Sequence, residues 1–199
     1  MSFITVNIPP ADLRETLNWL NAKPAQVERA ERRAVNKTLR WAGAFVARTV
    51  ASQNAVPLRV LTRGGGKRGA IRVRPRLARG REHDGSVWFG ANPVKAAYIG
   101  RLSQLRRGAR AGRHFFSGAF IAQTNSGHIG VFSRRGGAKN SSGRDSKGRL
   151  RKGRLPINEQ AVSLQNVAEA ARAAQSFIPV RLERTLAQEI NFEVNVRSR

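Results

Sequence analysis

The run AQVERAERRAVNKTLRWAGAFVARTVASQ, residues 25–53, constrains the chain more than any other stretch. Val27, Ala30, Ala34, Trp41 and Phe45 fall along one helical stripe, with Val35, Leu39, Ala42 and Val46 beside it. That spacing predicts one long amphipathic helix with an apolar face that has to be covered.

What covers it is read from the changes of period along the rest of the chain. Leu13, Leu17 and Leu20 follow a Pro-Pro start at i, i+4, i+7, which predicts a short helix ended by Asn21–Pro24. Residues 1–22 therefore read as an N-terminal extension, and residues 23–199 as a single domain. Pro57 suits the first turn of a second short helix through Val60 and Leu61, closed by Gly64-Gly65-Gly66. The middle then alternates. AIRVRPR at 70–76 and SVWFG at 86–90 are strand-like, and HFFSGAFIAQT at 114–124 with HIGVFSR at 128–134 brackets a turn at Asn125-Ser126-Gly127, a predicted β-hairpin. Residues near Pro156 should be extended. Helical spacing returns at 163–177, and again from Pro179 through Leu182, Leu186 and Ile190, which predicts a C-terminal helix pair. Helices, then strands, then helices predict an α+β fold with a small antiparallel sheet. Val27, Ala34, Trp41, Phe45, Phe116, Phe120 and Phe132 are the expected core.

Charge narrows the function. The chain has 37 Lys and Arg against 12 Asp and Glu, a net +25, and 24 of those basic residues with 4 of the acids lie between 57 and 160. A surplus of this size repels itself unless a polyanion or an acidic neighbour compensates it. Residues 134–154, RRGGAKNSSGRDSKGRLRKGR, concentrate it, with nine basic residues and one acid. Their few apolar side chains cannot offset the entropy of ordering, so this stretch is expected to be a mobile basic loop inserted between structured segments.

Catalytic chemistry finds little to work with. With no cysteine there is no thiolate and no Cys-type zinc site. Glu82-His83-Asp84 is the one crowding of acids and imidazole, but neighbours on a strand point to opposite faces, so a polar turn is expected there rather than a metal site. His114 and His128 flank the hairpin and could be cross-strand neighbours, with no acid near them in sequence. The glycine clusters at 64–69 and 134–137 lack phosphate-loop spacing. The expectation is a protein with no catalytic residues, no cofactor and no metal. No stretch is long and apolar enough to span a bilayer, so no membrane partner is expected, and the N-terminus lacks the pattern of a cleaved signal.

The long helix containing RAVNKTL, the basic middle, GAFIAQTNSGHIGVFSR, the RLPI segment at Arg154–Ile157 and the C-terminal helices together resemble the minor tail protein Z family of lambda-like tailed bacteriophages. The resemblance spans roughly residues 25–194. Its most specific residues are Gly118-Ala119-Phe120, opening a hairpin that closes on Val131 and Arg134, and Arg154-Leu155-Pro156-Ile157. It implies a structural virion protein of the tail-completion class, placed at the head-proximal end of the tail or neck and assembled in the host cytoplasm. Its implied partners are the tail terminator, the tail tube, the head–tail connector, further copies of itself in a hexameric ring, and viral DNA without sequence preference.

On either ground the contacts to DNA or a partner fall to basic residues on loops. Lys67 and Arg68 follow the triple glycine; Arg106, Arg107 and Arg110 lie in the middle. Arg134, Arg135, Lys139, Arg144, Lys147, Arg149, Arg151, Lys152 and Arg154 belong to the inserted loop. The alternative is a free protein that binds nucleic acid non-specifically through the same Arg and Lys side chains.

Overall fold

Pro24 opens the long helix, since its fixed φ suits the first turn and a helix has no use for the N–H it lacks. The Lys23 backbone N–H donates to Gln26 Oε1 at 2.9 Å, which caps the same turn. The computed structural model describes residues 2–6, 23–62, 73–80, 82–124, 126–134 and 157–196. They divide into two compact units, where the sequence suggested a single domain from 23 onward. One unit is Met1–Asn54, Leu58–Asn92 and Leu164–Arg199, and the other Ala55–Pro57 and Pro93–Ser163.

The first unit joins β1 (Ser2–Val6), α1 (Pro24–Gln53), α2 (Leu58–Thr62), β2 (Val73–Arg76) and β3 (Gly85–Phe89) to the C-terminal helix. Its sheet has the order β1-β3-β2, all antiparallel. Residues 2–6, read from the sequence as part of an extension, thus sit in the sheet, with Ile4 and Val6 fully buried beside Val87 and Phe89. The short helix expected over 11–21 lies outside the described residues. Gly85 marks the closest approach of strand and helix: a Cβ there would lie 2.4 Å from Leu39 Cδ1 and 2.8 Å from the Arg76 carbonyl oxygen.

The α1 core differs from the expected stripe at its aromatic positions. Ala30, Ala34, Val35, Leu39, Ala42 and Val46 are buried, whereas Trp41 and Phe45 are only half-covered at the border of the helix pair. There the Arg181 guanidinium stands over the Trp41 ring at 5.5 Å, and Phe45 packs on Phe177 at 6.2 Å. The small side chains go inward because the helix is covered by both the sheet and a second helix.

That second helix corrects the expected C-terminal pair. α3 is one helix, Val167–Asn191, with Pro179 inside it, followed by a π-type turn at Phe192–Val196. Proline removes one backbone hydrogen bond. The helix nevertheless continues because α1 packs along both halves, burying Ala170, Ala171, Ala174 and Ile178 before the proline and Thr185, Glu189 and Ile190 after it. Burial of several side chains outweighs one lost bond.

The two long helices run antiparallel and are clasped by charge. At one end Arg29 Nε and Nη2 donate to Glu193 Oε2 at 3.1 and 3.0 Å, Arg33 Nε donates to Glu189 Oε2 at 2.7 Å, and Lys37 Nζ reaches Glu189 Oε1. At the other end Asn54 accepts from the Gln165 N–H at 2.8 Å and donates to its carbonyl at 3.1 Å. Asn36 grips Ala78 in the same two-way manner, at 2.8 and 3.1 Å. Glu189 is 5 % exposed and Glu193 1 %. Burial alone would raise the Glu189 carboxyl, but the hydrogen bonds and charges of Lys37 and Arg33 outweigh it and hold the group below the ordinary carboxylate range. Glu31 goes the other way: burial raises it, and His83, with Nδ1 2.8 Å away, only partly opposes this.

The second unit contains β4 (Val94–Lys95), a 3-10 turn at Ala96–Tyr98, β5 (Leu102–Leu105), β6 (Gly108–Ala111), β7 (His114–Ser117), β8 (Ala119–Gln123), β9 (Ile129–Arg134), β10 (Ile157–Glu159) and β11 (Ala161–Val162). They form antiparallel sheets of order β5-β6-β7 and β10-β9-β8, with β11 on β4. The predicted hairpin is β8–β9, closed by the Thr124 N–H donating to the His128 carbonyl at 2.8 Å. It does not reach back to His114. Gly118, at φ +65, breaks the run and leaves β7 to pair with β6. The core is small: Ala96, Ala109, Ala111, Ala119 and Val131, with Leu102, Phe116 and Ile121 packed against it. Of the expected aromatic core, Phe132 is buried, while Phe116 and Phe120 are half-buried.

Two stability measurements test this account. Pro179→Ala restores a backbone donor within α3 and should raise the unfolding free energy in urea by about 1–3 kcal/mol. Glu189→Gln should lower stability at pH 7 by about 1–3 kcal/mol. Because the Glu189 carboxyl is depressed, its contribution is present above the unfolded carboxylate pKa of about 4.3 and disappears as pH falls through the folded value. The variant should therefore lose less stability on acidification than the parent does.

Candidate functional site

Alternation in β5–β7 sorts the side chains of the second unit. Ser103, Arg110 and Phe115 are direct ladder partners, so they share one side of the sheet, as do Leu105, Gly108 and Ser117. Ala109 and Ala111 point the opposite way into the core, while Arg110 and Phe115 are exposed. Arg106 and Arg107 form the turn between β5 and β6, Arg101 precedes β5, and Arg113 lies in the turn between β6 and β7, all of them exposed.

Five exposed arginines thus fall on residues 101–113, Arg110 on the outer face, Arg106 and Arg107 on the turn at one end of the sheet and Arg101 and Arg113 at the other. No acid occurs from residue 85 to 144. Among the described residues of this unit the one carboxylate is Glu159, and it is committed elsewhere, 2.6 Å from Lys95 Nζ and 2.7 Å from His128 Nε2. Burial would raise the Glu159 carboxyl, yet hydrogen bonds from Lys95 and His128 outweigh it and hold it low. Among the described residues, none of Arg101, Arg106, Arg107, Arg110, Arg113 or Arg134 makes an ion pair with a carboxylate. Their backbones are held by strands and tight turns and their side chains are exposed, an arrangement suited to phosphate or carboxylate oxygens.

Of the residues singled out in the sequence, Arg106, Arg107 and Arg110 are brought together here. Arg134 ends β9, exposed, opposite Ile157 of β10. The inserted segment therefore leaves and returns between two paired residues, anchored at both ends. Lys67, Arg68, Arg135, Lys139, Arg144, Lys147, Arg149, Arg151, Lys152 and Arg154 lie outside the described residues. Sequence reasoning missed Phe115 beside Arg110 on the face and Arg101 and Arg113 at the end of the sheet, and the acid-free span was the signal that could have found the two arginines.

The other constellations disperse. Glu82 closes a turn on Arg79, with N–H to carbonyl at 2.9 Å, and sits 3.6 Å from Arg76, while His83 turns to Glu31 on α1. His114 and His128 are not strand partners, since His114 pairs with Ala111 and His128 packs by Tyr98 and Glu159. Among the described residues, no three His, Asp or Glu side chains are grouped to hold a metal, and no helix is long and apolar enough to cross a membrane.

Compared with protein families, curated proteins and solved structures, the chain matches none.

The charge geometry gives a direct test. Replacing Arg106, Arg107 and Arg110 together by glutamate should weaken binding of the full chain to duplex DNA. In a salt titration followed by fluorescence anisotropy, the log–log slope should become shallower by about 0.9 for each arginine that had neutralised a phosphate.

Proposed function

We propose that this is a non-enzymatic assembly protein that docks an exposed arginine cluster on a polyanion or an acidic protein surface. Its specific role on this reading is tail completion in a lambda-like tailed bacteriophage. It works in a ring of six copies at the head-proximal end of the tail, beside the terminator, tube and connector proteins, with basic surfaces toward the DNA channel or an acidic neighbouring ring. The observation that carries the binding role is the acid-free set of Arg101, Arg106, Arg107, Arg110 and Arg113 on the β5–β7 sheet. The phage assignment is supported by the sequence resemblance at Gly118-Ala119-Phe120, Val131, Arg134 and Arg154–Ile157. The mechanism is complementary charge in assembly, with no turnover.

A free nucleic-acid-binding protein is the rival, and the exposed aromatic Phe115 among the arginines is the observation that favours it. Complementation separates the two. Infected cells lacking the chain should accumulate unjoined heads and tails. The intact gene should restore joining and the triple glutamate variant should not, with the tagged chain seen by electron microscopy at the head-proximal tail end. Normal virions formed without the chain, together with a purified monomer that never associates with tail or connector proteins, would decide for the rival.

A further inference from the structure

Phe115 is hard to explain as packing. It is 50 % exposed on a sheet whose other face supplies the core, and its cross-strand partner is an arginine rather than an apolar residue. Its ring leans diagonally across the sheet onto Gly108, where a Cβ would lie 3.1 Å from Phe115 Cζ and 2.2 Å from the Phe116 carbonyl oxygen. Glycine at 108 therefore does two things. It lets the strands close, and it leaves room for the tip of the Phe115 ring, which stays half exposed to solvent. Around this half-exposed ring stand Arg110 in the facing position and Arg106 and Arg107 on the turn beyond Gly108, and among the described residues of the unit the one carboxylate, Glu159, is engaged by Lys95 and His128.

We infer that the β5–β7 face binds single-stranded nucleic acid, one unpaired base stacking on the outer face of Phe115 while Arg106, Arg107 and Arg110 hold the flanking phosphates. The inference rests on the polyanion reading of the same face and narrows it to a ligand class. A duplex keeps its base faces stacked inside and presents phosphates and base edges, on which the ring cannot stack. An acidic protein surface satisfies the arginines but likewise leaves the ring unmatched. A single strand offers both components, and a stacked base is sequence-tolerant because every base has a π-face.

The test uses the full chain and four probes: a mixed-sequence single-stranded oligonucleotide, its abasic counterpart of equal length and charge, the annealed duplex, and heparin. The parent should bind the strand with bases at least about fivefold more tightly than the abasic strand, the change expected from one base stack. Phe115→Ala should remove that preference while leaving duplex and heparin binding unchanged, with an unchanged circular dichroism spectrum and urea midpoint showing that the variant is folded. Phe115→Trp should keep or increase it. Equal affinity of the parent for the two single strands, or an unchanged preference in Phe115→Ala, would overturn the inference. If the triple glutamate variant still loses affinity for all four probes, the polyanion reading survives that result. If the triple variant binds all four as the parent does, both fall together.

Discussion

The first unit depends on where a few carboxylates are spent. Glu189 and Glu193 are almost fully covered between α1 and α3, and three cations of α1 close on them from the partly exposed side. A buried carboxylate without such partners would be strongly destabilising, so the register of the two helices is fixed by which cation meets which acid. With that register set, the small residues of α1 face α3 and the sheet, and Leu39 meets Gly85 where no larger residue would fit. In the second unit Glu159 is likewise occupied by Lys95 and His128. Five carboxylates in a chain with only 12 acids, Glu31, Glu82, Glu159, Glu189 and Glu193, are thus engaged in internal ion pairs, and among the described residues no carboxylate pairs with the arginines of 101–113.

Legibility from sequence followed the range of the interactions involved. The 30-residue α1 was readable because its signal repeats every turn, and the β8–β9 hairpin because its turn residues lie between two apolar runs. The α+β class followed from the order of those blocks. Pro179 misled because a local rule, proline ending a helix, met a non-local one, the apolar surface of α1 present on both sides of the break. Gly118 belongs to the motif that opens the hairpin, yet its effect of splitting 114–124 into two strands requires knowing that its φ is positive. Trp41 and Phe45 fell on the expected stripe but only at its border, since helical spacing gives a face and not how far a neighbour extends over it.

The candidate face was half legible for a similar reason. Arg106, Arg107 and Arg110 stood out as basic residues in a basic region. Their grouping with Phe115 depends on β6–β7 pairing, which brings residues 110 and 115 side by side across a turn. His128 shows the reverse case: without an acid near it in sequence it seemed isolated, and antiparallel pairing of β10 with β9 delivered Glu159 to it from 31 positions away. What a sequence withholds here is mostly cross-strand register, and register is what turns scattered charges into a surface.

One amide has consequences for how that surface behaves under load. Gln104, on the edge strand β5, donates from Nε2 to the Gly108 carbonyl at 2.9 Å, and its Oε1 accepts from the Ile121 N–H of β8 at 2.8 Å. β5 and β8 share no backbone ladder, so this side chain stands in for a rung between two sheets. A pull on the arginine turn is thereby passed through hydrogen bonds into β8 and β9 instead of peeling β5 away. The face behaves as a braced bracket, its outer strand tied at Gln104 to the strands behind it.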